Sequence, residues 1–293
     1  MDLARLRDKC ARLQWSVDDL DWDAPGAERV SDAQAAALAP FLADLYWIER
    51  VAATVFAAMA HRESDPIRRA VFESFAADEQ RHADAELMLM IRWGIVGRRQ
   101  TPRPNPSVAK LIGVLERSAH RIHPSVFSAI IPMTELVLDG ALVKYLVRVV
   151  DDPLCRRVFE KINADEARHL AMDFHMLEHY GRNHSLLSNT FDMLRSVARP
   201  DSLYALFFGY FPTLARSRAS IQRMGLDIDE VTTAMRRYVE LGQRNADIAR
   251  HPTYRLMSSY VQLITDRRDP VGHALVRLSD AVDGLRPPSD LAA

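Results

Sequence analysis

A hexapeptide frame that occurs twice constrains this chain more than any other feature. Residues 77–82 read ADEQRH and residues 164–169 read ADEARH, so a Glu stands three residues before a His each time. With 13 Glu and 10 His in 293 residues, random placement predicts about 0.4 such pairs. Because residues i and i+3 share one face of a helix, each pair can direct both side chains at one point. The repeat therefore predicts two helices that present the same polar pair to a common interior.

Most of the chain has a helical period, and no stretch shows the alternation that is typical of a strand. Caps, prolines and glycines predict four long helical segments, at about 31–61, 65–94, 107–150 and 152–181. The third is expected to break or kink at Pro124 and Pro132. Gly181 is expected to end the fourth as the glycine that follows a helix. With four or five further helical segments over 185–285, the predicted fold class is all-α.

Each motif helix follows a helix that carries one Glu in an apolar stretch. Glu49 lies in WIERVAATVF and Glu135 lies in IIPMTELVLDG. The first stands 30 residues before Glu79 and the second 31 residues before Glu166, which indicates a duplicated helix pair. An unpaired carboxylate among apolar side chains costs several kcal/mol or becomes neutral, and a metal ion removes that cost. The candidate metal ligands are Glu49, Glu79, His82, Glu135, Glu166 and His169.

Four carboxylates and two imidazoles suit a pair of iron ions better than zinc, which prefers a closed site of four ligands rich in Cys and His. Manganese, alone or mixed with iron, fits the same donors. One Glu from each of two helices and a Glu-x-x-His from each of the other two is the ligand set of ferritin-like carboxylate bundles. The predicted cofactor is therefore two iron ions, with manganese left open.

Over roughly 31–181 the chain resembles the ferritin-like diiron-carboxylate superfamily. Its Asp-Glu-x-Arg-His frame is most similar to bacterial multicomponent monooxygenases and soluble acyl-carrier-protein desaturases. The resemblance implies a ferritin-like four-helix bundle in which the six candidates ligate iron and the glutamates of the two motifs bridge. It also implies that Asp78 orients His82 and that Asp165 orients His169, each from four residues earlier, with Arg81 and Arg168 neutralising the two aspartates.

The chain departs from some relatives at positions that bear on the reaction. Where class I ribonucleotide reductase subunits carry a radical Tyr, this chain has Glu86, and Ile162 replaces the extra ligand His of arylamine N-oxygenases. The threonine that monooxygenases and desaturases place after the third-helix Glu is missing; Leu138 and Asp139 stand there instead. Glu86, Asp139 and Asp173 lie one turn beyond candidate ligands. They are either an outer shell that moves protons or members of interior salt bridges, with Arg50, Arg81 or Arg168 as partners.

Composition and charge exclude several classes of protein. The formal net charge is −1 and the isoelectric point is about 6.8, which does not indicate a nucleic-acid partner. Two cysteines cannot build a disulfide framework or ligate an iron–sulfur cluster. The N-terminus has no apolar stretch typical of a signal peptide, and no run approaches 18 apolar residues. We expect a cytoplasmic protein, without a membrane span, that forms a homodimer.

The predicted organisation is an N-terminal extension over 1–30, a diiron core over 31–184 and a C-terminal helical extension over 185–293 packed on the core. The predicted function is O₂-dependent oxidation, by hydroxylation, desaturation or a related step, of a small-molecule or acyl substrate. The aromatic stretch LYALFFGYFPTL at 203–214 is a candidate wall of the substrate pocket, or else ordinary core or a dimer interface. Electrons are expected from an external ferredoxin or flavin reductase. The alternative is an iron-handling ferroxidase of the ferritin or rubrerythrin type.

Overall fold

The structure is a computed structural model that describes residues 1–205, 225, 227–266, 270, 274 and 277, with the side chain of Asp139 outside the description. Every regular element in this part of the chain is helical, so the all-α prediction is confirmed. The α-helices are α1 (Leu3–Arg12), α2 (Asp32–Arg62), α3 (Pro66–Arg92), α4 (Pro106–Ser118), α5 (Pro124–Val137), α6 (Lys144–Val149), α7 (Pro153–Asn183), α8 (Leu186–Val197), α9 (Pro200–Ala205), α10 (Ile228–Gln243), α11 (Ala246–Ala249) and α12 (Pro252–Thr265).

The starts of three long helices lie where the caps predict them. The side chains of Ser31, Asp65 and Asp152 each accept hydrogen bonds from backbone N–H groups of the following first turn. Pro66 and Pro153 occupy the first turns of α3 and α7, where no intrahelical N–H is needed. Short polar side chains at these positions satisfy donors that the helix itself leaves open.

Two pairs of helices form a four-helix bundle. The helices α2 and α3 are joined by three residues and pack along their length, and the segment from α5 to α6 packs against α7. The connection over 93–123, which carries α4, links one pair to the other. Short connections within pairs and one long crossover between them are the topology of a ferritin-like bundle. The predicted ferritin-like arrangement agrees with this topology.

The third predicted helical region is divided, as expected, at Pro124, where α5 begins after a short 3₁₀ turn over Ala119–Arg121. Pro132 lies inside α5 rather than at a break. A π-helical stretch, Leu138–Val143, joins α5 to α6. Segments with this wider winding are rare and occur frequently at functional sites. It begins three residues after Glu135.

The continuous stretch Pro124–Val149 is long and apolar enough to cross a membrane by length and composition, with a mean hydropathy of 1.7. Within its most apolar window, 65% of the stretch is buried inside the protein. Such burial is what a central bundle helix requires, since a helix that is apolar on most sides must be covered by its neighbours.

The prediction that Gly181 ends the fourth helix is wrong, because α7 continues to Asn183. Gly181 is instead a point of close approach. A Cβ at this position would lie 2.1 Å from the backbone oxygen of Asp247 in α11. The Gly181 carbonyl accepts a hydrogen bond of 3.0 Å from Arg250 Nε. The glycine therefore lets the C-terminal helices contact the backbone of α7.

The C-terminal helices cover one side of the bundle. Tyr238 of α10 is fully buried and donates a hydrogen bond of 2.9 Å to the backbone oxygen of Ala129 in α5. Tyr254 of α12 donates in turn to the backbone oxygen of Val239 at 2.6 Å. The division into an extension, a core and a second extension stays a prediction. Most of the aromatic stretch at 203–214 lies outside the described residues, so its proposed part in a substrate pocket does too.

Candidate metal centre

All six candidate ligands lie in the interior of the bundle. Neither histidine has any exposed surface, and no glutamate of the set is more than 7% exposed. Glu49 comes from α2, Glu135 from α5, and the two motifs come from α3 and α7. One face of each of four helices thus directs a carboxylate toward the same point, as the spacing of the repeat predicts.

The two imidazoles face this cluster through the same ring atom. His82 Nδ1 lies 3.0 Å from Glu166 Oε1 and 3.8 Å from Glu49 Oε2. His169 Nδ1 lies 3.0 Å from Glu79 Oε1, 3.1 Å from Glu166 Oε2 and 3.9 Å from Glu135 Oε1. The ring centroids are 6.0 Å apart. Glu166 therefore reaches both histidines, one with each carboxylate oxygen.

These donor atoms form two overlapping groups. Within each group, one ligand atom from every member lies within 4.8 Å of the others. The members of the first group are Glu49, Glu79, His82 and Glu166; those of the second are Glu79, Glu135, Glu166 and His169. Glu79 and Glu166 belong to both. The arrangement offers two neighbouring positions for a metal ion, with two carboxylates shared between them.

The pKa values of the cluster show that its carboxylates require positive charge nearby. Burial, together with Glu166 and Glu49, raises the pKa of Glu79 well above its ordinary value. Burial opposes protonation of His169, yet Glu166 and Asp78 raise its pKa to about 9. His82 likewise has a raised pKa, because Asp165, Glu166 and Glu49 outweigh its burial. Without metal, protonated imidazoles and a neutral carboxyl balance the charge; metal ions at the same place supply that charge directly.

The outer nitrogens of the histidines are held by the two aspartates, but the predicted pairing is wrong. Asp165 Oδ2 lies 3.1 Å from His82 Nε2, and Asp78 Oδ2 lies 3.3 Å from His169 Nε2. Each aspartate therefore orients the histidine of the other motif helix. The reason is that Nδ1 faces the cluster, so Nε2 on the far side of the ring extends across the interface between α3 and α7. A carboxylate only accepts, so Nε2 carries the proton and Nδ1 can act as a ligand.

The two arginines of the motifs neutralise the aspartates, as expected. Arg168 is 2% exposed, and its Nη2 donates to Asp165 Oδ1 at 2.6 Å and to Asp78 Oδ2 at 3.2 Å. Arg81 donates to Asp78. Burial works against ionisation of Asp165, but hydrogen bonds from His82 and Trp15 and the charge of Arg168 lower its pKa to about 2. Burial also works against ionisation of Asp78, but its hydrogen bond with His169 and the charge of Arg81 lower its pKa, so both aspartates remain charged at neutral pH.

Two residues of the N-terminal segment, neither of them predicted from the sequence, also contact the outer layer formed by Asp78, Asp165, Arg81 and Arg168. Trp15 Nε1 donates to Asp165 Oδ2 at 2.8 Å, and its ring stacks near His82 with centroids 6.5 Å apart. Gln14 Nε2 donates to Asp78 Oδ1 at 2.9 Å. These contacts span 150 and 64 residues along the chain. Since no local periodicity connects such distant positions, the sequence alone carries no signal for them.

Apolar rings close the cluster on the side of His169. The centroid of Phe75 lies 4.1 Å from that of His169, and the Phe56 centroid lies 5.3 Å away. Phe75 and Phe56 have no exposed surface. A dry wall of this kind strengthens electrostatic interactions inside the site because it lowers the local dielectric.

The structure describes the side chains of two of the three acidic residues that lie one turn beyond the ligands, Asp173 and Glu86. Asp173 has no exposed surface, and its carboxylate oxygens have no hydrogen-bond partner in the described part of the chain. Burial raises its pKa well above the ordinary value. The interior salt bridge considered for Asp173 is therefore not found among the described residues. Glu86 is also fully buried, and the side chain of Asp139 is outside the description.

Comparison with known proteins gives little beyond this geometry. No family model and no curated protein matches the chain. Among solved structures, the chain is similar to a mutant of an R2-like ligand-binding oxidase that was reconstituted anaerobically with a Mn/Fe cofactor. The TM-score is 0.49 at 17% identity, and the match covers 96% of this chain and 93% of the other. A likeness at this level does not show a function for this chain.

Proposed function

We propose that this protein is a dimetal oxidase that uses O₂ to oxidise an organic substrate. The observation that carries the proposal is the pair of overlapping ligand groups, in which Glu79 and Glu166 are common to both positions. Two ions that share carboxylates suit reactions in which two electrons leave one site together. Iron is the favoured metal, and manganese with iron fits the same oxygen and imidazole donors.

The residues have distinct roles in this proposal. Glu49 and His82 would hold one ion, Glu135 and His169 the other, and the two shared glutamates would bridge them. When bound, the ions supply the redox chemistry that activates O₂. Asp165 and Asp78 fix the tautomer of the two histidines and raise their basicity. Arg168 keeps both aspartates ionised in the interior, since it contacts each of them.

The reaction is proposed to be hydroxylation, desaturation or a related oxidation, in line with the resemblance to multicomponent monooxygenases and acyl-carrier-protein desaturases. The substrate would be an apolar small molecule or an acyl chain. Both cysteines of the chain are buried, Cys10 at 1% exposure and Cys155 at 0%, and two thiols cannot ligate an iron–sulfur cluster. Electrons would therefore come from a separate ferredoxin or flavin reductase.

The second candidate is a ferroxidase, for which ferrous iron itself is the substrate. The C-terminal helices favour the first proposal. The helices α10 to α12 pack on α5 and α7 and cover one side of the bundle. Oxidation of iron alone does not require such a cover. A rubrerythrin-type protein would also use a Cys-x-x-Cys iron site, which this sequence lacks.

Oxygen consumption distinguishes the two functions. The metal-free protein is loaded anaerobically with ferrous iron and then mixed with O₂ in an oxygen-electrode cell. An oxidase stops when its bound iron is oxidised and resumes only with a reductant, whereas a ferroxidase continues as ferrous iron is added and collects many irons per chain.

Two variants on α7 serve as controls in this assay. Glu166→Ala should abolish the rapid phase, and Glu160→Ala, at an exposed position of the same helix, should keep it. Continuous consumption of ferrous iron without a reductant would overturn the oxidase proposal.

A further inference from the structure

The helix α8 buries polar residues and exposes apolar ones, which is the reverse of an ordinary surface helix. Its buried positions are polar: Asn189 is 2% exposed and Ser196 is 3% exposed. Asn189 Nδ2 donates to the backbone oxygen of Tyr180 at 3.1 Å, and Ser196 Oγ accepts from the backbone N–H of His123 at 2.9 Å. Hydrogen bonds thus hold the polar face against the bundle. A surface helix normally buries its apolar face and leaves its polar face in water.

The opposite face of α8 is apolar and exposed. Leu187 is 83% exposed, Phe191 63% and Leu194 54%. At 100° per residue these three positions lie within about 60° of one another around the helix. Exposed apolar residues at the start of α8 and in the neighbouring α9 extend the surface. The α8 patch is defined as Leu186, Leu187, Phe191, Leu194, Leu203 and Tyr204.

The area of the patch matches what a stable interface needs. With an accessible area of about 200 Å² for each large apolar side chain, the patch exposes roughly 600 Å², the upper end of what a monomer shows. A standard interface covers about 800 Å² on each partner, and in homodimers about 65% of that area is apolar. Each partner therefore needs roughly 500 Å² of apolar surface. The α8 patch alone provides this amount.

The arrangement of the residues favours a second copy of the same chain. Phe191 stands at the middle of α8, with Leu187 four residues before it and Leu194 three residues after it. If two copies of α8 cross antiparallel at Phe191, Leu187 of one meets Leu194 of the other, and a two-fold axis repeats the contact. The spacing i, i+4, i+7 is that of paired helices.

The charges around the patch support the same occupant. The rim carries both signs of charge: Arg195 and Arg199 are basic, Asp192 and Asp201 are acidic, and Arg199 pairs with Asp201 at 3.0 Å. A helix that binds an anionic membrane carries mainly Lys and Arg on its polar side. A mixed rim is instead complementary to itself when a two-fold axis brings opposite charges together.

We infer that the α8 patch is the interface through which two copies of this chain form an isologous dimer, with Phe191 on the two-fold axis. The inference is independent of the proposed function, because it rests on a surface away from the metal cluster. It identifies the surface on which the expected homodimer is built.

The test is sedimentation equilibrium of the full chain. The parent should be a dimer at micromolar concentration, and Phe191→Glu should raise the dissociation constant of the dimer at least about 30-fold, the effect of one interface hot spot. Because Phe191 is already largely exposed, the variant should keep its helical content. The control is Val149→Glu, a 36% exposed apolar position beyond the other end of α7, a helix roughly 45 Å long. This control should remain a dimer.

A cross-linking experiment tests the position of the axis. Phe191→Cys should form a disulfide-linked dimer under mild oxidation, with little background because both natural thiols are buried, and Val149→Cys should not. A monomeric parent, an unchanged dimer in Phe191→Glu, or equal cross-linking of the two cysteine variants would each overturn the inference. So would a monomer that sediments with phosphatidylglycerol-containing vesicles, since the patch would then face a membrane.

Discussion

Asp165 provides the sharpest test of how the outer layer supports the metal site. Its carboxylate accepts hydrogen bonds from Trp15 and Arg168 and contacts His82 Nε2 at 3.1 Å. In Asp165→Asn the amide oxygen can still accept from Trp15 and His82, but the amide nitrogen then faces Arg168. The variant therefore keeps the orientation of His82 and loses the negative charge that makes this imidazole a stronger ligand.

The structure sets the size of the effect. Arg168 keeps its contact with Asp78 at 3.2 Å, so the buried guanidinium is not left alone. The loss of one charged hydrogen bond then costs about 2 kcal/mol in the free energy of unfolding, rather than the 3–5 kcal/mol of a fully orphaned charge. The metal affinity should fall about 10- to 100-fold, as is typical when a carboxylate that orients a ligand is changed.

Asp152, which caps the start of the same helix, offers a matched control. It is 1% exposed and accepts from an arginine and a tryptophan, Arg92 Nε at 2.8 Å and Trp93 Nε1 at 2.9 Å, but contacts no histidine of the described part of the chain. Asp152→Asn should cost similar stability and leave the metal affinity unchanged. Affinity is measured by anaerobic competition with a chelator, and stability by urea unfolding of the metal-free protein. An Asp165→Asn affinity within threefold of the parent, or an equal loss in Asp152→Asn, would refute the reasoning.

Three further predictions follow from the same structure. Trp15→Phe removes one hydrogen bond to Asp165 and should lower the free energy of unfolding by about 1–2 kcal/mol, measured by urea titration, while the helical content is kept. Since the pKa of His169 is raised to about 9 in the metal-free site, a metal ion must displace a proton from it below that pH. The apparent affinity should therefore rise between pH 6.5 and 9, by up to about tenfold per pH unit for each proton displaced, as chelator competition would show. Gly181→Ala should destabilise the protein by about 3 kcal/mol or more, measured by thermal unfolding, because its Cβ would meet the backbone of Asp247.

Each of these has an outcome that contradicts it. Unchanged stability in Trp15→Phe would mean that the N-terminal segment does not support the core. A metal affinity that is flat between pH 6.5 and 9 would show that no imidazole proton is displaced. For the glycine, the control is Gly113→Ala in α4, where the nearest atom is the flexible end of Arg117 at 3.2 Å. This control should be neutral or stabilising by up to about 1 kcal/mol, and equal losses in the two variants would remove the argument from close packing.

The parts of the structure that the sequence predicts are those that depend on local spacing. The repeated motif and the two isolated glutamates identify all six residues that the structure brings together, because a helix places i and i+3 on one face. Ser31, Asp65 and Asp152 mark helix starts through contacts with their own first turns.

The parts that the sequence does not predict depend on contacts between distant segments. The exchange of the two aspartates between His82 and His169 follows from how α3 and α7 face each other, and Trp15 reaches the site from outside the bundle. Gly181 looks like a helix end in sequence but serves as a contact point for α11. The exposed apolar face of α8 is likewise invisible in sequence, since its periodicity does not say which face meets the core.

The central claim is that the four glutamates and two histidines hold a pair of metal ions, and counting those ions tests it most directly. Ferrous iron is titrated anaerobically into the metal-free chain, and bound iron is measured after removal of the excess. The parent and Glu160→Ala should each bind about two ions per chain, whereas Glu166→Ala, which removes the carboxylate that reaches both histidines, should lose most of this binding. One ion or none in the parent, or about two ions in Glu166→Ala, would contradict the account.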